Sequence, residues 1–376
     1  MLTPRERMLA AITDGLSEGY PVVIPYADIF LRDHWADMTD KPWWVQNCWD
    51  IEARLAVEEG FQRKVGIDWV EAHMCPPEHW RSDHSVKVQR GRFFLVDSSG
   101  ETITEISRPP LGGSILKWPS LQEPVIRTVE DVDTQIRTTK AEELIDSGRL
   151  DYIEAVMDKY GSERLVVCPV ASPFWEIYPY FGIKRTLLNL FQNPGLIRCL
   201  LEKLLARGLE YLRACAAVGV DGIWVEECLT SADIISRSSY ERFVLPYVKR
   251  QISEIRQLGM KSIYYPCGDV RDRLELMIEV RPDCISLEES KKSFQIDIDW
   301  IDKTVAGRAC IFGNLDAVWL LRSGSQSELK KEVRRQIEVG RNYGRFVMSL
   351  GSPVTPETPL SRVKEYVETA RQIAGS

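Results

Sequence analysis

From Leu165 to Gly351 the chain repeats one unit: a short apolar run, a turn, then a helical stretch. The runs are Leu165-Val-Val-Cys-Pro-Val170, Asp221-Gly-Ile-Trp-Val-Glu-Glu227, Ile263 to Tyr265, Asp283-Cys-Ile-Ser-Leu-Glu-Glu289, Arg308 to Asp316 and Arg345 to Gly351. Apolar runs this short, with no alternation of polar residues, suit strands covered on both faces. A repeated β-then-α order requires a parallel sheet with helices outside it. Two earlier runs, Tyr20 to Tyr26 and Gly66 to His73, bring the strand count to eight. Eight such units predict an α/β fold of the (β/α)8 TIM barrel type, which needs ~250 residues and tolerates insertions. The chain has 376. A doubly wound open sheet is the alternative, but no Gly-x-Gly-x-x-Gly follows the first strand to hold a dinucleotide.

Two stretches depart from the repeat. Thr3-Pro4-Arg5-Glu6 carries a capping box and a proline at the first helical position, so an N-terminal helix precedes the first strand. From Ser85 to Ser107 the period changes to two, with a turn at Ser98-Ser99-Gly100, which predicts a hairpin or small antiparallel sheet. A proline-rich connection follows from Arg108 to Pro124. The expected organisation is one barrel domain over residues 1–376, with an N-terminal extension and a β-hairpin insertion at about 83–125. A hydrophobic share of 44% allows a large core, and the net charge of -7 argues against nucleic-acid binding. No run is long enough to span a bilayer. Nine cysteines without paired spacing suit a reducing compartment, so the expected location is cytoplasmic.

In a barrel the C-terminal ends of the strands share one mouth. Those positions hold Asp28, His73, Ser172, Glu226 or Glu227, Cys267, Glu288 or Glu289, Asn314 with Asp316, and Ser352. Acids at the ends of apolar strands require a metal, a cation, a proton or a basic partner. Asp316 and Ser352 also fit helix caps. Cys267 stands where the strand Ile263 to Tyr265 runs into a turn, and Gly268 frees the backbone there. Trp175, Tyr178 and Tyr180 follow the strand end at Ser172-Pro173; they either sandwich an aromatic substrate or pack the loop.

These residues resemble the uroporphyrinogen decarboxylase-like superfamily, which includes corrinoid-linked methyltransferases. The resemblance rests on Gly219-Val-Asp-Gly222, Ser236 to Tyr247, Cys267-Gly268, Phe312-Gly-Asn-Leu-Asp316 and Gly351-Ser-Pro-Val-Thr-Pro-Glu-Thr-Pro359, with Thr3 to Met8 near the start. It covers most of the chain from about Leu165 and implies a (β/α)8 barrel. The Arg-Gln-Ala-Gly-Arg motif of the decarboxylases has no counterpart; the matching region is Tyr26-Ala-Asp-Ile-Phe-Leu-Arg32. Thiol-methylating members hold zinc on a His-x-Cys strand end and a later Gly-Cys turn, where this chain has Tyr265-x-Cys267 and Gly351-Ser352. By similarity to cobalamin-independent methionine synthase, zinc is expected on Cys267 and Glu289 or Glu288, helped by Glu227 or His73.

The function implied is transfer of a methyl group from a methyl donor, an aromatic methyl ether, to the cobalt of a corrinoid protein. Cobalamin would arrive on that separate partner, since no Asp-x-His-x-x-Gly segment is present. Zinc would activate the leaving oxygen, or Tyr265 or a protonated Glu227 would give it a proton, beside Cys267; Trp175, Tyr178, Tyr180 and Asn314 would bind the substrate. A second copy of the chain, as a homodimer, is a further expected partner. The alternatives are a cofactor-free decarboxylase of a porphyrin-like or other acidic substrate, and a non-catalytic barrel that holds a small ligand.

Overall fold

The computed structural model describes residues 2–111 and 126–375. Most of the proline-rich connection expected at 108–124 lies outside the described residues. Seven parallel strands form the main sheet: β1 (Trp69–Glu71), β5 (Leu165–Ala171), β6 (Gly222–Glu227), β7 (Lys261–Pro266), β8 (Cys284–Ser286), β9 (Cys310–Phe312) and β10 (Phe346–Val347), hydrogen-bonded in that order. The intervening β2 (Ser85–Gln89), β3 (Arg92–Val96) and β4 (Thr102–Ile106) make a separate antiparallel sheet.

The eighth barrel position is the segment around Val22. Met348 N–H donates to the Pro21 carbonyl at 2.8 Å and Val23 N–H to the Met348 carbonyl at 2.9 Å, while Asp68 N–H donates to the Val22 carbonyl at 3.0 Å. The segment thus bonds to both edges of the seven-stranded sheet, beside β10 and beside β1, and closes the barrel. The interior is filled rather than hollow: Trp69, Trp224 and Phe312 meet there, with ring centroids 5.4 Å apart for Trp69–Trp224 and 6.2 Å for Trp224–Phe312.

Three aspartates secure the end of the barrel opposite the mouth. Each precedes a strand, and its carboxylate accepts the backbone N–H that opens the neighbouring strand. Asp68 accepts from Val22 at 2.7 Å, Asp221 from Val166 at 3.0 Å and Asp283 from Ser262 at 2.9 Å. The N-terminal helix Pro4–Thr13, held by the capping box of Thr3 and Glu6, closes this end through two arginines. Arg5 pairs with Asp221 at 2.7 Å, and Arg7 pairs with Asp68. A buried carboxylate that accepts a backbone N–H and a guanidinium is fully compensated, which is what lets it sit inside.

The small sheet has two turns. The one at Asp97–Glu101 agrees with the sequence. The other, at Arg90-Gly91, has φ of 51° and 73°, the twist that a two-residue hairpin needs. Trp43 packs its ring 5.0 Å from Phe93 and fixes the sheet against the N-terminal segment. The stretch after β6 forms two helices, Arg237–Phe243 and Leu245–Gln257, with Pro246 in the first turn of the second.

Candidate functional site

Which side chains reach the mouth depends on strand parity. In β6 and β7, Glu226 pairs with Tyr265 and Glu227 with Pro266. Trp224 and Tyr265 are on the inner face, stacked with centroids 4.9 Å apart. Tyr264 is on the outer face, its hydroxyl 3.2 Å from that of Tyr240 on the helix Arg237–Phe243. Side chains alternate along a strand. Glu226 therefore points inward with Trp224, and Glu227 points outward toward the helices.

One residue past each strand end, Cys228 and Cys267 continue the inner face. Their sulfurs are 3.2 Å apart. Cys267 N–H donates to the Glu227 carbonyl at 2.9 Å, and Gly268 N–H to the Glu288 carboxylate at 3.1 Å. Gly268 has a φ of +83°, and a Cβ there would lie 2.4 Å from the Ser231 Cβ, so only glycine fits this turn. The Cys228 hydrogen bond first, then burial and the nearby Glu288 and Glu226, push the Cys267 thiol well above its ordinary value. At neutral pH Cys267 is a thiol, not a thiolate.

The rest of the mouth is acidic and ring-lined. Burial, reinforced by the Asp28 charge, pushes the Glu226 carboxyl up to about 7, while a hydrogen bond from Tyr26 opposes the rise. Burial and Asp28 push Glu71 well above the carboxylate range. Burial also raises Glu288, with Lys291 opposing. Tyr26 sits at a φ of +55°, strained for an aromatic residue, and its N–H donates to Glu71 Oε1 at 3.0 Å. Its ring meets Tyr265 at 5.6 Å and Trp224 at 5.9 Å. Asp28, Glu71 and His73 each place a ligand atom within 4.8 Å of the others.

A model of the uroporphyrinogen decarboxylase (URO-D) family matches residues 113–373, more than half of the chain. The chain belongs to this family. Among its relatives is the methylcobamide:CoM methyltransferase MtbA of Methanosarcina mazei, 24% identical over 266 residues, covering 69% of this chain and 73% of that protein. The uroporphyrinogen decarboxylase of Thermus thermophilus is 29% identical over 205 residues, covering 54% of this chain and 57% of that one. A solved methyltransferase from Methanosarcina mazei superposes over 99% of both chains with a TM-score of 0.72 at 18% identity, which places the fold.

Within the family fold, the residues expected from sequence fall in different places. Glu227, expected as a proton donor in the mouth, is instead buried on the helix-facing side. Neither of its oxygens has a partner in hydrogen-bonding geometry, though the Ser172 hydroxyl lies near enough to oppose part of a rise to about 8 that burial drives. Tyr265 faces inward, but its hydroxyl donates to the Gly351 carbonyl at 2.9 Å, so its proton is already committed. Asn314 tethers two loops, donating to the carbonyls of Ile296 at 2.8 Å and Glu288 at 3.2 Å. Trp175 and Tyr178 stack on each other at 5.8 Å. Tyr180 turns to the helix Pro194–Ala217, where its hydroxyl accepts from Arg207 at 3.0 Å. Asp316 does cap a helical turn, accepting from Val318 at 2.9 Å and Trp319 at 2.8 Å.

The zinc set expected on Cys267 and Glu289 does not assemble. Glu289 accepts from Ser352 at 2.8 Å and pairs with Lys291. Gly351 is what admits it: a Cβ there would lie 2.3 Å from the Glu289 nitrogen. Ser352 thus stands where the resemblance puts a thiol, and its hydroxyl serves Glu289. Glu227 faces away, and His73 lies with Asp28 and Glu71. Among the described residues no group of three ligand-type side chains includes Cys267. The chain's residues do not fit the thiol-activating zinc of the resemblance, and no chemistry is assigned to it. Sequence reasoning missed Cys228 and Glu71. The signal for the first was its place one residue past a strand end, the same as Cys267; for the second it was its position two residues after Trp69 and two before His73.

Proposed function

We propose that this chain is a corrinoid-dependent methyltransferase that takes a methyl group from a neutral methyl donor, an aromatic methyl ether, with a separate corrinoid protein docked at the barrel mouth. The Methanosarcina mazei relative, a methylcobamide:CoM methyltransferase, supports the reaction class. The observation that carries the reading is a buried carboxyl, Glu226, raised to about 7 beside aromatic rings. Around Glu226 stand Cys228, Cys267 and Glu288, and on the β1 side Asp28 and Glu71 with His73 and Arg54. Buried carboxyls and thiols held toward their neutral forms suit a neutral ether better than a polycarboxylate, whose charges would each need a cationic partner. Tyr26, half-buried and packed edge-on against the buried Trp224 and Tyr265, offers ring surface to an aromatic donor.

The partner's reduced cobalt supplies the nucleophile that accepts the methyl group. This chain's own task is the leaving oxygen. A phenoxide departs more readily if it is protonated as the carbon–oxygen bond breaks. Glu226 is suited to give that proton, because burial raises it to about 7, so that about half of it carries a proton at neutral pH. Tyr26, hydrogen-bonded to Glu226, orients the carboxyl toward the mouth. Mixing the protein with a reduced corrinoid protein and a panel of methyl ethers tests the reading. The reduced corrinoid's absorbance should disappear only with ether, protein and partner all present. Disappearance with no donor in the panel, while a porphyrin carboxylate is decarboxylated, would refute it. A methylated ammonium donor is the second reading, favoured by the same rings and carboxylates, which attract cations; it belongs in the panel.

A further inference from the structure

We infer that Asp28, Glu71 and His73 form a binding site for one divalent first-row metal ion, separate from the two cysteines. Glu71 and His73 lie on the inner face at the end of β1, and Asp28 follows the segment that closes the barrel. Their three ligand atoms lie within 4.8 Å of one another. One imidazole and two carboxylates are a borderline-to-hard donor set, suited to zinc, cobalt(II) or manganese(II) rather than to a soft ion.

A second observation points to a ligand. His73 Nε2 is wholly enclosed by the protein and has no hydrogen-bond partner there. A buried ring nitrogen without a partner costs free energy unless something accepts its lone pair or its proton. It also lines, with Asp28 and Glu71, a cavity of about 80 Å³ that has room for an ion and water. Glu71 Oε1 is held by the Tyr26 N–H at 3.0 Å, which fixes the carboxylate and leaves Oε2 to bind. Arg54 lines the same cavity, with its guanidinium 3.6 Å from the centre of the Trp49 ring. Its charge offsets part of that of the two carboxylates and moderates the affinity.

Metal binding is measured on the whole protein, stripped with chelator and titrated with zinc or cobalt(II) alone, with no corrinoid partner or methyl donor present. One equivalent should bind. His73→Ala should weaken it by at least about tenfold, since even loss of a ligand's supporting partner costs about that much. Cys228→Ser combined with Cys267→Ser should leave it unchanged. Bound cobalt(II) should show weak visible bands and no thiolate-to-cobalt charge transfer. Binding that survives His73→Ala, a thiolate band that vanishes in the double cysteine variant, or no binding at all would each overturn the inference. Should His73→Ala fail to fold, the wild-type cobalt spectrum decides. Because no methyl transfer is read, failure here and failure of the proposed reaction are told apart.

Discussion

Glu227 makes the outer face of β6 testable. Its carboxyl has no exposed surface, and its ordinary value of 4.5 is raised to about 8. A group whose value rises on folding contributes fully below its unfolded value and loses that contribution as pH climbs to the folded one. Stability should therefore fall between about pH 4.5 and pH 8 and stay low above. At about 1.4 kcal/mol per unit, the loss is on the order of 5 kcal/mol. Glu227→Gln removes the ionisation but leaves an amide with few partners, a penalty of about 1–3 kcal/mol at every pH. The difference between variant and wild type is thus a constant offset plus a pH-dependent gain. Urea unfolding followed by tryptophan fluorescence at pH 5, 7 and 9 should show the variant gaining relative to wild type as pH rises. A difference that is the same at pH 5 and pH 9 would mean that Glu227 ionises freely, and the assignment of outer and inner faces would fail with it.

On the inner face, Glu226→Gln should slow methyl transfer by about 10²–10⁴, the usual worth of a general acid. The wild-type rate should decline as pH rises through about 7, where Glu226 loses its proton, and the variant should lose that limb. Glu227→Gln should transfer methyl groups at close to the wild-type rate, and a pH–rate profile separates the two. Gly268→Ala forces a side chain into a φ of +83° and against Ser231, so chemical denaturation should show a loss of about 2–4 kcal/mol. Asp68→Ala strips the Val22 N–H and the Arg7 guanidinium of their shared partner, and unfolding should show a loss of about 3 kcal/mol.

The fold was legible because a parallel barrel announces itself by count and spacing. Eight short apolar runs with helices between them leave few arrangements, and even Tyr20–Tyr26 and Arg345–Gly351 read correctly although the paired strand in each is only one or two residues long. The same property hid the site. Strands covered on both faces carry no alternation of polar and apolar residues, so nothing in Gly222-Ile-Trp-Val-Glu-Glu227 says which glutamate faces in. What decides it is the company of Trp224 and Tyr264, and that is known only once Trp224 is found stacked on Tyr265 and Tyr264 bonded to Tyr240.

Parity then reorganises the chemistry as well as the geometry. With Glu226 inside, its carboxyl, the paired thiols and the Tyr26, Trp224 and Tyr265 rings occupy one side of the mouth, and Asp28, Glu71 and His73 occupy the side where β1 meets the closing segment. The Asp28 charge links the two halves, since it raises both Glu226 and Glu71. A cation held by Asp28 would cancel that charge and lower Glu226, making the acid stronger but less often protonated at neutral pH. The activity limb near pH 7 should therefore shift downward when the stripped protein is loaded with zinc. A limb that stays fixed on loading would show that Glu226 does not sense Asp28, and the mouth would have to be treated as two independent sites.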